Sequence, residues 1–124
     1  MRDIKDAIIL NLLEGIGFKA DYRTADAAIN IIIYLDSIRH ICEAASKEPR
    51  AKKPADALFF DGKWWAMISR RELNNICPYI SQSMLRRLLK WLDNENVVNM
   101  HKFDVKSQNG NIGYALNEQI IRFL

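Results

Sequence analysis

Between Ser81 and Asp93 the chain carries Gln82, Ser83, Arg86, Arg87 and Lys90 at intervals of one, three and four residues. At about 100° per residue, those intervals place Ser83, Arg86, Arg87 and Lys90 on one arc of an α-helix, with Gln82 at its start. Leu85, Leu88, Leu89 and Leu92 fall within roughly 100° on the opposite arc, with Met84 and Trp91 on one flank. The polar arc holds three cations and no anion before Asp93, whereas a surface that is merely solvated mixes both signs. Gln, Ser and Arg hydrogen-bond the edges of bases, and Arg and Lys neutralise phosphates. The chemistry on offer is contact with a nucleic acid, with Gln82, Ser83 and Arg86 placed for bases and Arg87 and Lys90 for phosphates. The competing reading is that this ridge is only the wet side of an amphipathic helix.

Other chemistry is poorly supported. Cys42 and Cys77 lie 35 positions apart without a C-x-x-C spacing, and His40 and His101 belong to different elements. Four ligands are needed for a structural zinc site, and these residues do not make a set. The two cysteines read as buried, reduced, structural thiols, and their number excludes the disulfide framework of a small secreted protein. No Ser-His-Asp order, metal-ligand spacing or glycine-rich phosphate loop is present, so the expectation is a protein that is not an enzyme and holds no metal or cofactor.

The 124 residues suit one domain, and 49% hydrophobic with 27% charged residues argues for a packed core. The longest apolar runs, Ala7 to Leu10 and Ile31 to Leu35, are far short of the roughly 20 residues that cross a bilayer. Asp3 and Asp6 spoil a basic leader region. A cytoplasmic protein is expected. The net charge of +3 is uneven: residues 1–46 hold five Lys/Arg against seven Asp/Glu, and residues 47–124 hold thirteen against eight. A basic C-terminal part again suits a polyanionic partner.

The elements that must position the ridge can be read in order. Residues 3–14 form an apolar helix closed by Gly15 and Gly17. A second helix starts at Thr24 as N-cap and runs to about Ser46. Lys47–Pro54 is a proline-broken loop, and its Lys47, Arg50, Lys52 and Lys53 suit either phosphate contact or a flexible linker. Leu58-Phe59-Phe60 and Lys63 to Ile68 flank Asp61-Gly62, a pair suited to a type I′ turn. In that hairpin one of Trp64 and Trp65 belongs to the core and the other is partly exposed, a base-stacking platform being the minor alternative. Ser69-Arg70-Arg71-Glu72 is a capping box opening a short helix that stops at Cys77, before Pro78. Pro78-Tyr79-Ile80 makes a tight turn, and Ser81 caps the helix Gln82 to Asp93. Two strands, Val97–Phe103 and Ile112–Leu116, are joined by a polar loop Asp104–Asn111, and Glu118–Leu124 closes the chain as a short amphipathic stretch.

That order is the one a winged helix-turn-helix requires. The expected fold is α+β, mostly α: a single winged-helix domain over residues 1–124, with an extra N-terminal helix in 1–17, a short β-hairpin, and a core at 24–117. The short helix then adds Arg70 and Arg71 as phosphate contacts, and the wing adds His101, Lys102 and Lys106, offset by Asp104. Helix 3–14 has more apolar surface than one small domain covers, which predicts a homodimer; the other reading packs it on helix 24–46 within one chain.

The stretch Ala27 to Asn117, about three-quarters of the chain, resembles the winged-helix domains of phage and plasmid replication initiators and replisome organisers. The shared features are the Asp61-Gly62-Lys63-Trp64-Trp65 hairpin, Ser69 to Leu73 as S-x-x-E-L, and Pro78 to Ser81 as P-Y-I-S. Leu85 to Leu92 and the strand end Tyr114 to Asn117 complete them. The resemblance implies sequence-directed binding of double-stranded DNA at an origin or operator, with Gln82, Ser83, Arg86 and Arg87 matching the groove-facing positions. The chain adds an apolar N-terminal helix to the pattern and closes shortly after the wing. It is therefore read as a small regulator or replication accessory factor of phage or plasmid type. The alternative is a protein-interaction or inhibitory module, a phage accessory or anti-defence protein on the same scaffold, with a host or phage protein as its partner.

Overall fold

Asp21, rather than Thr24, opens the long helix. Its carboxylate accepts the backbone N–H of Thr24 at 2.8 Å, the usual reach from an N-cap to the third helical residue. That hydrogen bond is the main reason the Asp21 carboxyl sits below its ordinary pKa. In this computed structural model, which describes residues 4–19, 21–48, 57–107 and 110–124, the helix α2 runs Tyr22–Lys47. The N-terminal helix α1, Ile4–Gly15, packs on α2. Ile9 and Leu13 are buried there, while Ile4 and Ile8 face solvent. A Schellman turn ends α1: Phe18 N–H donates to Leu13 O at 2.9 Å and Gly17 N–H to Glu14 O at 3.1 Å, with Gly17 at φ 95°.

Among the described residues, five helices and one four-stranded antiparallel sheet make an α+β architecture. Strands β1 (Ala57–Phe60), β2 (Lys63–Met67), β3 (Val98–Ser107) and β4 (Gly110–Leu116) lie in the order β1-β2-β4-β3. Asp61 and Gly62 both have positive φ, 53° and 75°, as a type I′ turn demands. β2 meets β4 through Ala66 opposite Tyr114 and Met67 opposite Gly113. The helices α3 (Arg70–Ile76) and α4 (Gln82–Asn94) follow β2, and α5 (Glu118–Ile121) follows β4.

Side-chain alternation divides the sheet into two faces. Ala66, Ile68, Val98, Tyr114 and Leu116 join the main core with the apolar sides of α1, α2, α3 and α4. Trp65, Met67, Phe103 and Ala115 form a second, smaller cluster on the other face. Gly113 permits it, since a Cβ there would lie 2.6 Å from Phe103 Cε2 and 3.2 Å from Met67 Sδ. Trp65 is the buried tryptophan of the pair, and its indole N–H donates to Phe60 O at 2.8 Å; Trp64 is half-buried.

The polar run 104–111 is not the loop its composition predicts. β3 continues to Ser107 and β4 begins at Gly110, with a register shift between Lys102 and Ser107. Strand pairing rests on backbone hydrogen bonds, so a strand can continue through polar residues without the hydrophobic alternation that marks it in sequence. Both cysteines are buried and lie outside any disulfide. Cys77 donates its Sγ–H to Leu73 O at 3.2 Å, and burial pushes its thiol up. The one buried charged side chain among those described, Asp36, is met by Arg39, whose Nη2 lies at 2.8 Å. No described helix is long and apolar enough to cross a membrane.

Candidate nucleic-acid interface

The ridge on α4 depends on what the rest of the helix does. Ser81 caps it, accepting the N–H of Met84 at 3.2 Å. Leu85, Leu88, Leu89 and Leu92 are at most 4% exposed and fix the helix rotationally against the core. Gln82, Ser83, Arg86, Arg87 and Lys90 are all exposed as a consequence. Among the described residues, the recorded ion pairs join Asp36, Arg39, His40 and Glu43 of α2, and none engages a cation of α4. Asp93, the first acid along the helix, directs Oδ1 to the backbone N–H of Met100 at 3.0 Å.

The turn leading into α4 is joined to α2 by a polar tie that sequence spacing does not reveal. Tyr79, in the turn between α3 and α4, donates its hydroxyl to Asp26 Oδ2 at 2.9 Å and accepts from Asn30 Nδ2 at 2.8 Å. Both partners lie on α2, 53 and 49 residues away in sequence. Burial, reinforced by the Asp26 carboxylate, pushes the Tyr79 phenol up to about 12. No local pattern marks these residues as partners, because helical periodicity reports which face is apolar and not what a turn residue touches.

Arg70 and Arg71 are exposed in the first turn of α3, capped by Ser69 Oγ on Glu72 N–H at 3.1 Å. Arg70 lines a 210 Å³ cleft with Ser69 and with Gly110, Asn111 and Ile112 at the start of β4. Burial raises the Tyr114 phenol beside it, and the Arg70 charge works against that rise. Lys102 is exposed, opposite Ile112 on β4.

His101 has other company. Its position opposite Gly113 puts it on the outer face of the sheet. There it stacks on Phe60 at 5.4 Å, meets Phe103 edge-on at 4.5 Å and lies 5.8 Å from Trp65. Lys63 joins this face, with Nζ 5.7 Å from the Trp65 ring centroid and donating to Asn99 Oδ1 at 2.9 Å. The structure thus gathers Gln82, Ser83, Arg86, Arg87 and Lys90 on one surface and sets His101 on the sheet face turned away from the helices. The Lys106 side chain, Arg50, Lys52 and Lys53 lie outside the described residues, and Lys47 is exposed at the end of α2.

These groups donate hydrogen bonds and carry positive charge, so the arrangement suits binding of anions. Comparison with known protein families, with curated proteins and with solved structures finds no match to the chain.

Proposed function

We propose that this protein binds double-stranded DNA in a sequence-directed way, with α4 entering the major groove N-terminus first. The observation that carries the reading is the exposed strip Gln82, Ser83, Arg86, Arg87 and Lys90, backed by buried leucines and without a carboxylate partner among the described residues. A major groove about 12 Å wide accepts one helix, and Arg, Gln and Ser read its base edges. The connection supports the same reading. The chain order α2, β2, α3, α4, β3 and β4, with β4 between β2 and β3, suits a winged helix-turn-helix. On this reading β3 and β4 form the wing, and α1 and β1 are additions. Arg70 and Arg71 at the start of α3 supply phosphate contacts, and Lys102 supplies one from the wing. A small regulator or replication accessory factor of phage or plasmid type is the role that fits best.

The exposed Ile4 and Ile8 of α1 favour pairing of two copies, which brings two α4 helices to successive major grooves. The test of the function is selection of bound sequences from a random duplex pool at low and at moderate salt. An enriched motif whose retention weakens with salt supports the proposal. A pool that stays random, or binding indifferent to salt, rules it out.

A further inference from the structure

Beside the cationic strip, and sharing Arg87 with it, lies a groove whose apolar lining DNA contact does not use. Its volume is about 370 Å³, within the range of pockets that hold a ligand. Phe18, Met84, Leu88 and Trp91 are among the residues that line it, and Lys19 and Arg87 stand at its edges. The Schellman turn after α1 carries Phe18 onto α4, where its ring lies 5.0 Å from that of Trp91 at 57°. Met84 and Trp91 occupy the flank of α4 next to Arg87, so apolar lining and positive edge belong to one helix. No lining residue is a carboxylate.

We propose that this groove docks an acidic peptide segment of a partner protein, with one large apolar side chain seated among Phe18, Met84, Leu88 and Trp91. Charge complementarity selects this occupant. Two exposed cations beside an apolar floor attract Asp or Glu flanking a hydrophobic anchor, and repel a basic segment. A phosphate backbone matches the cations but has nothing to bury against two aromatic rings. The thioether of Met84 gives the floor some adaptability to anchor shape. Arg87 belongs to both the groove and the cationic strip, so a docked acidic segment excludes duplex DNA from that arginine. Only this last step rests on the DNA-binding reading.

The probe is a phage-displayed random peptide library panned on the full chain. Enriched sequences are expected to place Asp or Glu beside Trp, Phe or Leu. Their binding should fall about tenfold or more in Lys19→Glu and in Arg87→Glu, both at exposed positions where the fold tolerates the change. Amide shifts on adding the enriched peptide should centre on Phe18, Met84 and Trp91. Failure to enrich, enrichment without acidic bias, or equal binding to the charge-reversed variants overturns the proposal. So does a DNA duplex that shifts the Phe18 and Trp91 signals as the peptide does, because the groove then belongs to the nucleic-acid surface. Simultaneous binding of peptide and duplex removes the shared role of Arg87.

Discussion

Salt dependence gives the sharpest test of the α4 ridge. Arg70, Arg71, Arg87, Lys90 and Lys102 are exposed, and none forms an ion pair recorded among the described residues. They can therefore displace counterions without first breaking an internal ion pair. Each neutralised phosphate contributes about −0.9 to the slope of log affinity on log salt, so five contacts per protomer predict about −4.5. A rise from about 50 to about 200 mM salt then weakens binding of one protomer about 500-fold. Arg87→Ala should reduce the slope to about −3.6, and the same rise in salt should weaken that variant only about 150-fold. Arg86→Ala tests the other half of the assignment: it should cost about 1–3 kcal/mol on the preferred duplex and blur the ranking of duplexes. Fluorescence anisotropy of a labelled duplex across a salt series reads both quantities, with circular dichroism to verify that each variant is folded. A flat salt response, or a slope identical in wild type and in the Arg87→Ala, Lys90→Ala double variant, refutes the argument.

Three further outcomes follow from particular contacts. Tyr79→Phe deletes the tie to Asp26 and Asn30 and should cost about 1 kcal/mol at neutral pH. Folding holds the Tyr79 proton to about 12 against 10 for the free phenol, so the unfolded chain binds fewer protons between those values and wild-type stability falls as pH rises through them. Below pH 10 the gap between wild type and variant should be full, and it should narrow toward pH 12; denaturant melts showing a constant gap would contradict this. Gly113→Ala forces a Cβ against Phe103, Met67 and Trp65 and should lower stability by about 1–3 kcal/mol, a view that an unchanged urea midpoint would sink. Ile4→Glu with Ile8→Glu should convert a dimer to a monomer without lowering the melting temperature, since Ile4 is 80% and Ile8 39% exposed; a wild-type monomer at micromolar concentration in sedimentation removes the basis for pairing through α1.

Where a signal was local and repeated, the residues announced the structure. The leucine spacing of α4, the serine caps at Ser69 and Ser81, and the Asp61-Gly62 turn each depend on neighbours within four positions, and all three take the forms their sequence predicts. Two boundaries were missed for specific reasons. Thr24 and Asp21 are both good N-caps, and only the hydrogen bond between them decides which one serves. The strand segments on either side of 108–109 are polar in sequence, and backbone pairing extends a strand without the apolar alternation that would announce it. At the site, the α4 strip was legible because one helix face is a periodic object. The placement of His101 was not: a lone histidine beside lysines reads as cationic, and its aromatic neighbours Phe60 and Trp65 come from another hairpin some 40 residues earlier. The Tyr79 tie was hidden in the same way, by sequence distance.

The charge asymmetry of the chain acquires its meaning only in three dimensions. A slight excess of acid over residues 1–46 would weaken an anion-binding surface if those carboxylates faced it. Two acids, Asp26 on α2 and Asp93 near the end of α4, are instead engaged as acceptors, Asp26 from the Tyr79 hydroxyl and Asp93 from the Met100 N–H. Asp36 and Glu43 are drawn to Arg39 on α2. The hydrogen bonds that tie the α3–α4 turn to α2 and the end of α4 to β3 therefore also fix where these two carboxylates point. Packing and electrostatics are coupled at these positions, so a variant that releases Asp26 or Asp93 should weaken anion binding even though neither residue touches the ligand. Tyr79→Phe is the variant that separates the two roles. Loss of affinity in proportion to loss of stability marks a purely structural tie, whereas loss of affinity in a protein that remains fully folded marks an electrostatic effect of an Asp26 carboxylate that has lost the Tyr79 hydroxyl and keeps Asn30 as a donor at 3.4 Å.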